Sequence, residues 1–261
     1  MSWFAELVER EAEIADRKLV AHAFRAYGSA ADVSGQQELA HVLYERSLAI
    51  SEQLGDEHGR AVLLHRLGIR AMRRGDLAKA RELVEASHAI HERYDDAWGL
   101  AQTVGTFGAI DRDAGDEERA YALIAESAER AAGVGVHWWH AGMLIELAAL
   151  SLEAGRLDDA EDKAREALEL ASRMRDYGGR VFGVGVLSCI AAEQGDIQRA
   201  GRLWGAIEDD RVGAPLGGWL RHRAACEARI TKHAGTELES SLAVGRGLSL
   251  DDAVDLALAD A

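Results

Sequence analysis

Proline is nearly absent from these 261 residues. Pro215 stands alone, so almost nothing ahead of the C-terminal quarter breaks a helix by removing a backbone donor. Cysteine is almost as scarce. Cys189 and Cys226 fall in separate helical segments with no paired spacing, which indicates neither a disulfide framework nor a zinc site and fits a reducing compartment. No apolar run approaches a membrane span, and Met1-Ser2-Trp3-Phe4-Ala5-Glu6 has neither the basic start nor the apolar core of a secretory leader. A cytoplasmic chain without membrane contact is the expectation. Excess positive charge is missing too: the formal charge is −15, which opposes contact with phosphate backbones or anionic lipid, so nucleic acid is not expected as a direct partner. There is no Gly-x4-Gly-Lys phosphate loop and no Gly-x-Ser-x-Gly elbow, and His91-Glu92 lacks a second histidine at Asp95. Neither an enzyme nor a cofactor or resident metal is expected.

What is abundant is repetition. The phrase Gly75-Asp76-Leu77-Ala78-Lys79-Ala80 returns with its glycine at 35, 115, 155 and 195, always 40 residues apart. Eight residues before each glycine stand Tyr27, Leu67, Phe107, Leu147 and Leu187; seven before stand Gly28, Gly68, Gly108, Ala148 and Ser188. Five after come Ala40, Ala80, Ala120, Ala160 and Ala200, and nine after come Tyr44, Val84, Ile124, Ala164 and Trp204. Small residues at two fixed places let paired antiparallel helices approach closely, and the bulky ones fill the space left over. The glycine closes the first helix at positive φ, and Asp76, Asp116 or Asp196 caps the next. Between repeats, Leu54-Gly55-Asp56, Tyr94-Asp95-Asp96 and Arg175-Asp176-Tyr177 make the break. The composition and period predict an all-α solenoid in which each hairpin buries its apolar faces on its neighbours.

The spacing of an apolar residue, a small one, a glycine seven further, an alanine five further and then a bulky residue resembles the tetratricopeptide repeat. That resemblance implies a right-handed superhelix of about five repeats whose concave wall, formed by the first helices, holds ligands. The family unit is about 34 residues, and here it is lengthened to 40. The family proline is missing. Asp111 and Ser151 occupy an apolar position, and Lys163 replaces leucine, which suggests looser packing in repeats three and four. A narrower resemblance rests on Ala200-Gly201-Arg202-Leu203-Trp204-Gly205, Val212-Gly213-Ala214-Pro215-Leu216 and Gly245-Arg246-Gly247-Leu248-Ser249-Leu250. These are similar to the C-terminal end of large bacterial LuxR-type transcription regulators that also carry an ATPase module. It implies a sensor region without its ATPase and DNA-binding parts.

The expected organisation is an N-terminal capping helix at 1–16, five repeats over 17–214, and capping helices over 215–261. In the last segment Trp219, Leu220, Ala224, Ala225 and Ile230 read as one helix. Ser249 with Asp252 reads as a capping box ahead of Leu250, Ala253, Val254, Ala257 and Leu258. Counting back from the glycines places His65, Met72, Gln102, Arg112, Ile145 and Phe182 on the concave face, with His22 and Arg25 at its N-terminal end. His65, Gln102 and Arg112 would orient a polar group there and the others would cover the rest. His137-Trp138-Trp139-His140 reads as packing between repeats with solvated histidines, as an aromatic ligand wall, or as two metal ligands at i, i+3 with no further donor identifiable. Arg66, Arg70, Arg73, Arg74, Lys79 and Arg81 form a solvated basic face or a dock for an acidic partner. Ser47, Ser87 and Ser127 read as small residues at a repeat contact.

The functional expectation is a non-catalytic scaffold binding a protein or peptide, or a small-molecule effector, as the sensing region of a transcription regulator. A free-standing peptide-clamping adaptor and a small-molecule or enzymatic pocket at His137 to His140 remain the alternatives, and a homodimer stays open.

Overall fold

The computed structural model describes Glu6, residues 10–210 and residues 218–259. Among these the fold is entirely helical, without a strand. A 3₁₀ turn at Glu11–Glu13 precedes α1 (Arg17–Val33), α2 (Gln37–Leu54), α3 (Glu57–Arg73), α4 (Leu77–Arg93), α5 (Ala97–Ala114), α6 (Glu117–Gly133) and α7 (His137–Glu153). Then follow α8 (Leu157–Met174), α9 (Tyr177–Gln194), α10 (Ile197–Ile207), α11 (Gly218–Thr231), α12 (Thr236–Gly245) and α13 (Leu250–Leu258). Half of the expected N-terminal capping helix, residues 1–5 and 7–9, lies outside the described residues, and in the rest only the 3₁₀ turn at Glu11–Glu13 precedes α1. The chain divides into two compact units, Met1–Gly115 and Asp116–Ala261.

The turns explain the regularity. Positive φ occurs at 35, 55, 75, 95, 115, 135, 155, 175 and 195, one left-handed residue every 20 positions. Seven of these are glycine, which adopts that conformation without strain, while Asp95 and Arg175 are not. Asp16, Asp56, Asp76, Asp96, Asp116 and Asp196 each accept a hydrogen bond from the amide three residues on, stopping one helix and starting the next within a few residues.

Packing follows the small and large positions. Ala40, Ala80, Ala120, Ala160 and Ala200 are all fully buried, and so are Tyr44, Val84, Ile124 and Ala164. A Cβ at Gly28 would lie 2.7 Å from the Tyr44 ring, and one at Gly68 would lie 2.6 Å from Val84 Cγ2. Knob and hole are therefore matched within the first two hairpins. Ser47 and Ser87 do more than stay small: their hydroxyls donate to the Ala21 and Ala61 carbonyls on the paired helix, at 2.7 and 2.8 Å.

The expected loosening at Asp111, Ser151 and Lys163 is replaced by polar networks. Asp111 pairs with Arg81 across α4 and α5. Ser151 and Tyr121 donate to the Asp159 carboxylate, which also pairs with Lys163. The polar substitutions occur together because each would cost free energy if buried alone.

In the second unit α12 packs on α10 almost backbone to backbone. A Cβ on Gly205 would meet the Leu242 carbonyl at 2.5 Å, and one on Gly245 would meet that of Arg202 at 2.3 Å. The Ser249–Asp252 capping box starts α13, which rests on α8, α9 and α10. Arg165 and Arg199 donate to the free carbonyls at its C-terminal end.

Candidate functional site

The first-helix face of α7 and α9 is covered. α11 lies across it, burying Trp219, His222, Cys226 and Ile230, a stripe at helical spacing, while Ala224 and Ala225 stay exposed. Trp219 meets Phe182 and Trp204 at 5.8 and 5.7 Å between ring centroids, and His222 stacks on Phe182 at 5.4 Å. Gly185 makes room, since a Cβ there would sit 2.3 Å from the Trp219 ring. Ile145 and Phe182, expected to line an open groove, are therefore core residues beneath this helix.

The same helix carries the most unusual electrostatics in the unit. His222 Nε2 lies 3.2 Å from Glu146 Oε2, and Nδ1 lies 3.2 Å from Glu153 Oε1. Both ring nitrogens face carboxylates, which only accept, so both carry protons and the ring is an imidazolium. Burial opposes this charge, but hydrogen bonds to Glu146 and Glu153 outweigh it and raise the His222 pKa to about 9. One turn on, the fold brings Cys189 of α9 close to Cys226 of α11 as free, buried thiols, with burial pushing the Cys189 thiol up. The sequence does not single out His222, Glu146 or Glu153, and it separates the two cysteines that meet here. Glu146 and Glu153 are 76 and 69 residues from His222, and the only local signal was the 219, 222, 226, 230 spacing.

In the first unit the expected groove residues are also largely interior. His65 is 2% exposed, with Nε2 2.8 Å from Thr106 Oγ1. The threonine hydroxyl already donates to the Gln102 carbonyl at 2.9 Å, so the ring nitrogen is the donor. Burial first, and the nearby charge of Arg66, depress its pKa to about 3. Met72 and Arg112 are buried, and Arg112 Nε donates to Asp113 Oδ1 at 3.2 Å. The register shows why: the His65 position meets the first helix of the next repeat and not an open hollow. Gln102 and Arg25 are partly exposed and His22 is exposed.

The His137 to His140 stretch is divided. Trp139 is buried and its Nε1 donates to Ser127 Oγ at 2.9 Å, whereas Trp138 stands edge-on to it, 43% exposed. His137 is exposed; His140 is partly buried, which lowers its pKa. The cavity beside the tryptophans, reaching Ile145, Glu146 and Phe182, measures about 60 Å³, far below the volume a drug-sized ligand needs.

A larger cavity, about 430 Å³, opens among α2, α3 and α4. Its apolar lining is Leu48, Ala49, Leu67, Ala71 and Leu83, and its polar lining includes Glu45 and Glu52 of α2 opposite Arg74 and Lys79. Most of the basic face is already engaged. Arg70 binds Asp32 and Gln37 at 3.1 and 2.9 Å, Arg73 binds Asp32 at 3.2 Å, and Arg74 binds Glu38 at 2.8 Å. Lys79 pairs with Glu82 at 2.8 Å.

No protein-family model matches the chain, and no curated protein is significantly similar to it. Among solved structures it is similar to BtubC (BKLC) from P. vanneervenii, with a TM-score of 0.54 and 19% identity over 67% of this chain and 72% of that one. At that identity the likeness speaks for the helical fold alone.

Proposed function

We propose that this chain is a non-catalytic recognition scaffold of the tetratricopeptide kind, holding a polypeptide in the slot between α2 and α4. The observation that carries this reading is the slot itself. Two second helices of consecutive repeats form its walls, α3 supplies an apolar floor, and its volume of about 430 Å³ suits the side chains of an inserted segment. Acidic groups on one wall and basic groups on the other favour a segment carrying charges of both signs in the opposite order. The ion pairs at the rim are exposed, so a partner exchanges them at small cost.

The resemblance of the Ala200 to Gly205 and Gly245 to Leu250 stretches supports a place in a cytoplasmic bacterial transcription regulator. A free-standing adaptor uses the same slot, and sequencing the natural gene on both sides of this segment separates the two. The slot is tested by identifying a co-purifying polypeptide by native mass spectrometry and titrating it against the Ala49→Trp variant. Ala49 is an exposed slot residue, so the indole fills the space without entering the core. The expected result is an affinity about tenfold weaker, a loss of ~1.4 kcal/mol, with unchanged circular dichroism. Equal affinities would place the partner elsewhere.

A further inference from the structure

His58, His91 and Asp96 converge at the junction of three helices. The first lies in the opening turn of α3, the second near the end of α4, and the third caps α5. One ligand-type atom from each lies within 4.8 Å of the others. His91 Nδ1 is 2.9 Å from Asp96 Oδ2, and His58 Nδ1 is 3.6 Å from the same oxygen. We propose that these three side chains form a binding site for a divalent transition-metal ion of the zinc class, with solvent completing the coordination.

The geometry suits such an ion. Bonds of ~2.0–2.1 Å to imidazole nitrogen and carboxylate oxygen in a tetrahedral site require ligand atoms about 3.3 Å apart. The two measured separations fall on either side of that value, and the His58 side chain, 68% exposed, is free to close the remaining gap. Asp96 divides its work. Oδ1 accepts from the Gly99 amide at 3.0 Å and caps α5, while Oδ2 faces both imidazoles. Without metal, Nδ1 of His91 donates its proton to Oδ2. When metal takes that nitrogen, the ring keeps one proton, now on Nε2, and stays neutral.

The repeat itself shows that the fold does not require these histidines. The turn is closed by the Asp96 amide donating to the backbone carbonyl of residue 91, at 3.0 Å. The corresponding bonds at Asp56 to Ser51 and Asp176 to Ala171 are 2.9 Å each, made with small side chains. His91 therefore stands where the repeat otherwise places serine or alanine, and its ring fits only because residue 99 is glycine. A Cβ there would lie 2.0 Å from His91 Nδ1. The positions matching His58 in later repeats hold Trp98, Trp138 and Gly178. Two departures from the repeat thus meet at one carboxylate, where an ion would clip the second hairpin to the helix that follows.

The test is zinc titration by calorimetry and cobalt titration by visible absorption on the untagged full chain, with His58→Ala, Asp96→Asn and a His137→Ala/His140→Ala control. His58→Ala removes an exposed ligand, and Asp96→Asn keeps the capping oxygen while losing the charge. One zinc per native chain is expected, with affinity at least about tenfold weaker in either variant and unchanged in the control. Zinc should raise the Tm of the native and control chains but not of the two variants, each compared with its own metal-free melt. Equal zinc affinity in native and His58→Ala protein, or loss of binding in the control, would overturn the assignment.

Discussion

Arg175 occupies a left-handed backbone position, φ 54°, where seven of the nine equivalent turns use glycine. Its side chain is exposed, so Arg175→Gly relieves backbone strain without loss of packing. A gain of about 1 kcal/mol in a urea melt is expected; a lower midpoint would contradict it. Gly68 gives the opposite sign. Helix propensity alone favours alanine by roughly 1 kcal/mol, but the new methyl would lie 2.6 Å from Val84 Cγ2 in a fully buried contact. Gly68→Ala should therefore lose about 1–3 kcal/mol, and a stabilised variant would show that the two helices move apart freely. These small and large positions were legible because they recur every 40 residues, so five copies of each environment could be compared. His222 was not legible. It is a polar residue occurring once, and its partners on α7 become neighbours only after α11 has folded onto the stack.

At the level of elements, α11 is the departure from the repeat. It occupies the face that first helices otherwise offer, and a buried ionic contact helps to hold it there. The folded His222 keeps its proton to about pH 9, while the unfolded ring releases it near 6.5. This contribution is therefore complete below pH 6.5 and is lost as the pH rises through 9. It amounts to something on the order of 3 kcal/mol. Denaturation midpoints measured at pH 6.5 and 9.5 should differ in the native chain and much less in His222→Gln. His65 works the other way: its folded pKa of about 3 lies below the unfolded value, so its contribution is present above pH 6.5 and is lost as the pH falls toward 3. His65→Gln should accordingly flatten the acid limb of the stability curve between those two values. Helix order, the aspartate caps other than Asp176, which makes no side-chain cap bond, and the final capping box could be read from local residue types. The inward-facing set could not, because counting along one helix shows which face a residue takes and not what will cover it.

For the whole molecule, the charge of −15 is distributed over a surface where most strong ion pairs are local or link neighbouring helices. Self-repulsion of like charge is then a general cost, screened at a Debye length of about 8 Å in physiological salt. Raising salt from about 10 mM to that level should increase the Tm, and a fall would mean that the ion pairs outweigh the net charge. The all-helical architecture could be read almost completely from the period. The division into two compact units, Met1–Gly115 and Asp116–Ala261, could not, since the repeat phrase at Gly115 has the same form as its neighbours. The even spacing of the left-handed turns also bears on how such a chain changes length. Removing residues 56–95 would join Leu54-Gly55 directly to Asp96-Ala97, which reads as the same stop and start. A gene built this way is punctuated for editing: a whole hairpin can be dropped or copied at the seam, and the junction is grammatical without a single new residue.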